Sequence, residues 1–234
     1  MAEMNFPFPG GAPAPGQGPG GPGGVYAGSM PAPGSSRNTY AELNQYAQKG
    51  QIVLVGSSLM GQFPVNELMM SLGMPGIVYN RAVGCNTSEY LADSELLEHS
   101  IFDLEPGKLF LNIGTRDMDL PGDKIGRLTE NYDRLISLVL ERVPGCQIYI
   151  IAFYPILRPE ADSPRPENFR TRESLLEANA ALAELARRRN IQFVDINACL
   201  VDADGYLRPE YAADIIHLTT AGYYAILQEL VRYF

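Results

Sequence analysis

Ile52-Val53-Leu54-Val55-Gly56-Ser57-Ser58-Leu59 is the stretch that decides the fold. Four aliphatic residues in a row leave no polar face, so the strand they form is buried on both sides. Gly56 ends it, and from Leu59 to Leu72 the spacing predicts a helix. The same alternation repeats outward from there. Ile77-Val78-Tyr79 reads as a second strand and Leu109-Phe110-Leu111-Asn112-Ile113, ending at Gly114, as a third. Ile125, Leu128, Tyr132, Leu135 and Val139 then fall on one face of a long helix. Ile148-Tyr149-Ile150-Ile151 is a fourth strand, and Thr171 is placed to cap a helix that buries Leu175, Leu182 and Leu185. Ile191-Gln192-Phe193-Val194 is the fifth strand, and a last helix, Thr220 to Tyr233, buries Tyr223, Ile226, Leu227 and Leu230. Apolar strands alternating with helices predict a three-layer α/β/α sandwich around a five-stranded parallel sheet.

The rest of the composition bounds this domain. Residues 1–38 hold 10 of the 23 glycines and 8 of the 18 prolines, with Glu3 and Arg37 their only charges. Such a segment buries too little apolar surface to offset its ordering entropy, so it is expected to be a disordered tail, leaving 39–234 as one domain. It lacks the basic start and unbroken apolar core of a secretory signal. A net charge of -9 argues against nucleic acid as a partner. The run Arg187-Arg188-Arg189 is expected to end a helix, where cations complement the dipole. Cys85, Cys146 and Cys199 are too few and too widely spaced for a disulfide framework. They are expected as reduced core thiols of a cytoplasmic protein. No apolar run approaches the ~20 residues of a membrane span.

In a parallel sheet the chemistry gathers beyond the carboxyl ends of the strands. That rule selects Gly56-Ser57-Ser58, the loop from Asn80, Gly114 to Asp117, and the loop before the last helix. Only two histidines exist to serve as a base. His99, near the end of a predicted helix, is expected to be an exposed or capping residue. His217, in Asp214-Ile215-Ile216-His217, has a carboxylate three residues away that can fix its tautomer and stabilise its imidazolium. Ser58 follows a strand and opens a helix, where backbone N–H groups surround its hydroxyl. Either Ser57 or Ser58 acting only as a helix cap is the competing reading.

Together these blocks resemble the SGNH (GDSL-type) esterase and lipase family, over nearly the whole chain from about residue 50. The family's Gly-Asp-Ser-Leu block appears as Gly56-Ser57-Ser58-Leu59, and its second block as Asn80-Arg81-Ala82-Val83-Gly84-Cys85-Asn86-Thr87. Gly-x-Asn-Asp appears as Gly114-Thr115-Arg116-Asp117, and Asp-x-x-His as Asp214 to His217. The resemblance implies a serine esterase acting on short acyl or acetyl esters, with no cofactor and no metal. Ser58 would be the nucleophile, His217 its base and Asp214 the residue that orients the base. The oxyanion hole would be formed at Ser58, Cys85 and Arg116.

Two of those positions depart from the family pattern in ways that bear on chemistry. Cys85 stands where a glycine is usual, and a positive φ there would strain it; Cys85 itself as nucleophile is a minor alternative. Arg116 stands where the family has an asparagine side chain. It is expected to donate to the oxyanion, to bind an anionic substrate group, or to pair with Asp117 or Asp119. The last outcome would leave a catalytically weak or inactive protein that binds a ligand at the same site. The proline-rich segment Tyr154 to Phe169 is expected to be a loop that shapes the substrate pocket. The sequence carries no signal for oligomeric state.

Overall fold

A computed structural model describes residues 33–93, 95–160 and 169–234. Five parallel strands form one sheet in the order β2-β1-β3-β4-β5. They are β1 (Ile52–Gly56), β2 (Val78–Asn80), β3 (Lys108–Asn112), β4 (Gln147–Ile151) and β5 (Gln192–Val194). Around them lie α1 (Pro33–Asn44), α2 (Ser58–Gly61), α3 (Val65–Ser71), α4 (Ser88–Asp93) and α5 (Leu96–Ser100). The chain continues with α6 (Lys124–Arg142), α7 (Arg172–Arg189) and α8 (Thr220–Leu230). The expected sandwich of helices around a five-stranded parallel sheet is what forms.

Successive strand residues point to opposite faces, and the two faces have separate cores. Val53, Val55, Leu109, Leu111, Ile148 and Ile150 pack with α6 and α7 residues such as Leu128, Tyr132, Leu182 and Leu185. Leu54, Phe110, Tyr149 and Ile151 pack on the other side with Met60, Met69, Tyr223 and Ile226. This two-sided burial is why the strands read as unbroken apolar runs. The long helices behave as their sequences predict. Thr171 Oγ1 accepts from Ser174 N and Ser174 Oγ from Thr171 N, a reciprocal cap at the start of α7. Arg187, Arg188 and Arg189 close α7, and Asn190 follows in a left-handed turn.

Several expectations need correction. The helix read over Leu59–Leu72 is two helices, interrupted at Gln62-Phe63-Pro64. Pro64 lacks an N–H and disfavours helical geometry in the residue before it, so the chain breaks there. The last helix is regular only to Leu230, and Val231–Tyr233 tightens into a 3-10 turn. Only Cys146 of the three free thiols is buried; Cys85 is exposed and Cys199 half-buried. Pro33–Asn44 is helical across the boundary expected at residue 38, while 1–32 lie outside the described residues. So do 161–168, within the expected Pro-rich loop. Among the described residues no helix is long and apolar enough to cross a membrane.

Phe110 is fully buried at the centre of the sheet. It stacks on Tyr149 at 4.5 Å and meets the edge of Phe234 at 5.5 Å. Phe110→Ala is expected to lower the unfolding free energy by about 3–5 kcal/mol, read from the midpoint of a urea titration.

Candidate active site

The site begins where β1 and β3 end side by side. Gly56 pairs with Asn112 in the register, and a Cβ on Gly56 would lie 2.4 Å from the Asn112 carbonyl oxygen and 2.7 Å from the Met60 side chain. Only glycine lets the two backbones approach this closely. The chain then turns through Ser57, which is extended and makes no capping bond with its side chain, so the capping reading fails for it. Ser58 opens α2, a single turn, so it sits at the start of a much shorter helix than expected.

Ser58 Oγ lies 3.0 Å from His217 Nε2, although 159 residues separate them. The other ring nitrogen, Nδ1, lies 2.7 Å from Asp214 Oδ2. Asp214 also builds the turn on which His217 sits, because its Oδ1 accepts from the backbone N–H of Ile216 at 2.8 Å and of His217 at 2.7 Å. Ala213 N–H to His217 O at 2.8 Å and Leu157 N–H to Ile215 O at 2.9 Å tie that turn to its surroundings. One carboxylate therefore shapes the loop and aims the ring. Partial burial works to raise the Asp214 carboxyl, but the bonds from His217 and Ile216 outweigh it and hold the group below its ordinary range. Tyr223 on α8 donates to Leu59 O at 2.6 Å and stacks on Phe63. This joins the helix after His217 directly to the turn that carries Ser58.

The other strand-end loops come to the same edge of the sheet. Val83 N–H donates to Gly56 O at 3.0 Å, placing the segment after β2 against the end of β1. Cys85 follows at φ 65, the left-handed conformation in which a non-glycine residue is strained. Gly114, at φ 111, turns the chain out of β3 where a Cβ would strike Leu128 at 2.4 Å. Arg116 comes two residues later and is exposed. Neither carboxylate expected to pair with it does so. Asp117 turns inward, where its carboxylate accepts from the N–H and hydroxyl of Ser88. Asp119 receives Arg170 Nη2 at 2.6 Å and Nε at 3.1 Å. Burial raises the Asp117 carboxyl above its usual range, against the opposing pull of the Ser88 bonds.

His99 is half-buried and its Nδ1 bonds Asp103 Oδ2 at 2.8 Å, an internal pair rather than the exposed or capping residue expected. His217 is left as the histidine at the strand ends. Cavities of about 540 Å³ and 380 Å³ lie elsewhere, one beside Asn44, Lys49 and Arg142, the other beside Phe153, Arg172 and Asn197; Ser58, Asp214 and His217 line neither. Among the described residues no group of three or more His, Cys, Asp or Glu side chains is placed to hold a metal ion. The Ser88–Asp117 contact and the Tyr223 tether were missed in the sequence. Nothing in the local sequence links Ser88 to Asp117, 29 positions away.

Comparison with known proteins gives a consistent result. The model of the GDSL-like lipase/acylhydrolase family matches residues 63–225, beginning just after Ser58. The human platelet-activating factor acetylhydrolase IB subunit alpha2 is 22% identical over 180 residues, covering 76% of this chain and 73% of that protein. Among solved structures, one from Streptococcus pneumonia, described as a platelet activating factor, is 27% identical with a TM-score of 0.74, covering 86% of this chain and 91% of its own. An acetylxylan esterase from Geobacillus stearothermophilus is 19% identical with a TM-score of 0.59, covering 79% of this chain and 94% of its own. Catalytic mutants of that esterase replace one serine, one aspartate and one histidine, the last two three positions apart.

The depressed Asp214 carboxyl carries a pH consequence. A group held below its unfolded value contributes stability that is present above that value and lost as pH falls through the folded one. Wild type is therefore expected to melt above Asp214→Asn at about pH 5, where the carboxyl is ionised in both the folded and unfolded states. The gap should narrow as pH drops below the ordinary aspartate value of 3.8, followed by thermal melts across that range.

Proposed function

The chain belongs to the GDSL-like lipase/acylhydrolase family and is a carboxylic ester hydrolase, and from that premise we propose a Ser58–His217–Asp214 triad that hydrolyses short acyl or acetyl esters. The observation that carries the reading is the continuous chain of bonds Ser58 Oγ–His217 Nε2 and His217 Nδ1–Asp214 Oδ2. Ser58 Oγ attacks the ester carbonyl while His217 takes its proton. The tetrahedral adduct collapses as His217 protonates the departing alcohol, leaving an acyl group on Ser58. Water, deprotonated by the same ring, repeats the cycle and frees the acid. Asp214 keeps Nδ1 as the proton-bearing nitrogen and stabilises the imidazolium formed in each half. The same Ser, Asp and His types, at the same Asp-to-His spacing, are what the acetylxylan esterase mutants remove. The acetyl preference draws support from the names of both that enzyme and the acetylhydrolase subunit.

In this reading the oxyanion is held by the backbone N–H groups of Ser58 and Cys85 and by Arg116. Arg116 brings several N–H donors and a fixed charge where an amide is usual. Its two neighbouring carboxylates are engaged elsewhere, which leaves the guanidinium to the substrate. The strained Cys85 and the exposure of Arg116 favour one alternative, a weak or inactive protein that binds a ligand at this site.

Turnover of nitrophenyl acetate decides between them. Ser58→Ala is expected to lower kcat by at least about 10³-fold, and a fluorophosphonate to label Ser58 and not Ser57. Equal turnover by wild type and Ser58→Ala would sink the triad. Arg116→Ala is expected to lower kcat by about 10²-fold if Arg116 serves the oxyanion. A gain in rate on Arg116→Asn would instead favour the weak or inactive reading.

A further inference from the structure

The strain at Cys85 needs an explanation beyond the three residues of the triad. A non-glycine residue stays at positive φ only where its surroundings hold it there. On the upstream side the loop is held by Val83 N–H to Gly56 O and by Asn80. The Asn80 side chain donates to Met60 O at 2.8 Å and accepts from Ala82 N–H at 3.2 Å. On the downstream side the hold is Asp117. Its Oδ2 accepts from Ser88 N–H at 3.0 Å, and its Oδ1 takes the Ser88 hydroxyl in a shorter bond. Asn131 on α6 donates to the same hydroxyl at 2.9 Å. Ser88 and Asp117 are both almost fully buried.

Asp117 is itself anchored to the end of β3. Its N–H donates to Gly114 O at 2.9 Å, and Ile113 is bonded at both its N–H and its carbonyl by the Tyr132 hydroxyl. The carboxylate thus bridges the loop that presents Cys85 and the loop that presents Arg116. A carboxylate suits this place better than an amide. Ser88 offers two donors at once, and only a carboxylate has an acceptor oxygen for each. Were packing the sole need, an apolar pair would fill the space without burying a charge.

We propose that Asp117 is a positioning residue for ester hydrolysis, holding the Cys85 N–H in its left-handed conformation through Ser88 so that it faces the oxyanion. This rests on the reading of Cys85 as an oxyanion donor. Asp117 touches no reacting atom in this account; it acts through the conformation of Cys85.

The test exploits the one residue that does not resist positive φ. Asp117→Ala and Ser88→Ala are compared in two backgrounds, wild type and Cys85→Gly. Asp117→Ala in the wild-type background is expected to lower kcat on nitrophenyl acetate by roughly 10- to 100-fold, with KM within about twofold. In the Cys85→Gly background the loss should shrink to less than about threefold, because glycine populates that conformation unaided. Ser88→Ala, which keeps the backbone bond, should show the same pattern at smaller size and serves if Asp117→Ala does not fold. Equal losses in both backgrounds, or no loss, would overturn the proposal. A second readout needs no turnover: the Cys85 Cα chemical shift should leave its left-handed value in Asp117→Ala and Ser88→Ala. An unchanged shift overturns the holding role. Absence of Ser58-dependent turnover in the wild type counts against the esterase reading instead, and the shift then decides the role of Asp117 by itself.

Discussion

The close approach of β1 and β3 at Gly56 is the constraint on which the site depends. A Cβ there would overlap the Asn112 carbonyl oxygen, so any other residue would force the two strand ends apart. Ser58 follows two residues after Gly56, and Gly114 turns the chain two residues after Asn112. Val83 is bonded to the Gly56 carbonyl itself. A shift of the strand ends would therefore move Ser58 and both flanking loops together. The same glycine that punctuates the first apolar run sets the geometry of the chemistry beyond it.

The proposed catalytic groups are held by a small number of bonds that each do two things. Asp214 closes its own turn with one oxygen and orients His217 with the other. Tyr223 fills the core on one face of the sheet and, through its hydroxyl, fixes the carbonyl of the residue after Ser58. Asn80 ends β2 and reaches back to the carbonyls of Met60 in α2 and Phe63 in the break before α3. Preorganisation of this kind matters because a donor misplaced by about 1 Å can cost orders of magnitude in rate. The long-range bonds place a serine and a histidine from opposite ends of the domain within hydrogen-bond distance.

Much of this was legible in the sequence, for a physical reason. Strands buried on both faces must be apolar throughout, so Ile52–Val55 and Ile148–Ile151 announce themselves; the amphipathic face from Ile125 to Val139 does the same for α6. That Ser58, Asp214 and His217 would come together was legible because the chemistry restricts which residue types can form such a set, and the chain holds only two histidines. The break between α2 and α3 was written in Pro64 but hidden by the apolar residues Leu59, Met60, Phe63, Val65 and Met69 that lie on both sides of it. The pairing foreseen for Arg116 failed for a different reason. Local sequence places Asp117 and Asp119 beside it, while the fold offers each a better buried or bidentate partner in Ser88 and Arg170.

That contrast separates two kinds of information. A nucleophile or a base is identified by what it is, and few residue types qualify. A residue that holds a loop is identified by what it meets, and Ser88 and Asp117 lie 29 positions apart with no periodicity to connect them. Cys85 and Arg116, the two positions proposed to complete the oxyanion hole, lie on the two loops that this contact joins. With a cysteine at φ 65, the backbone does not adopt the positive φ without cost as glycine would, and the conformation must be imposed by neighbours. In the proposed reading, stabilising an oxyanion thus depends less on residues whose chemistry can be read along the chain than on contacts that only the folded sheet creates.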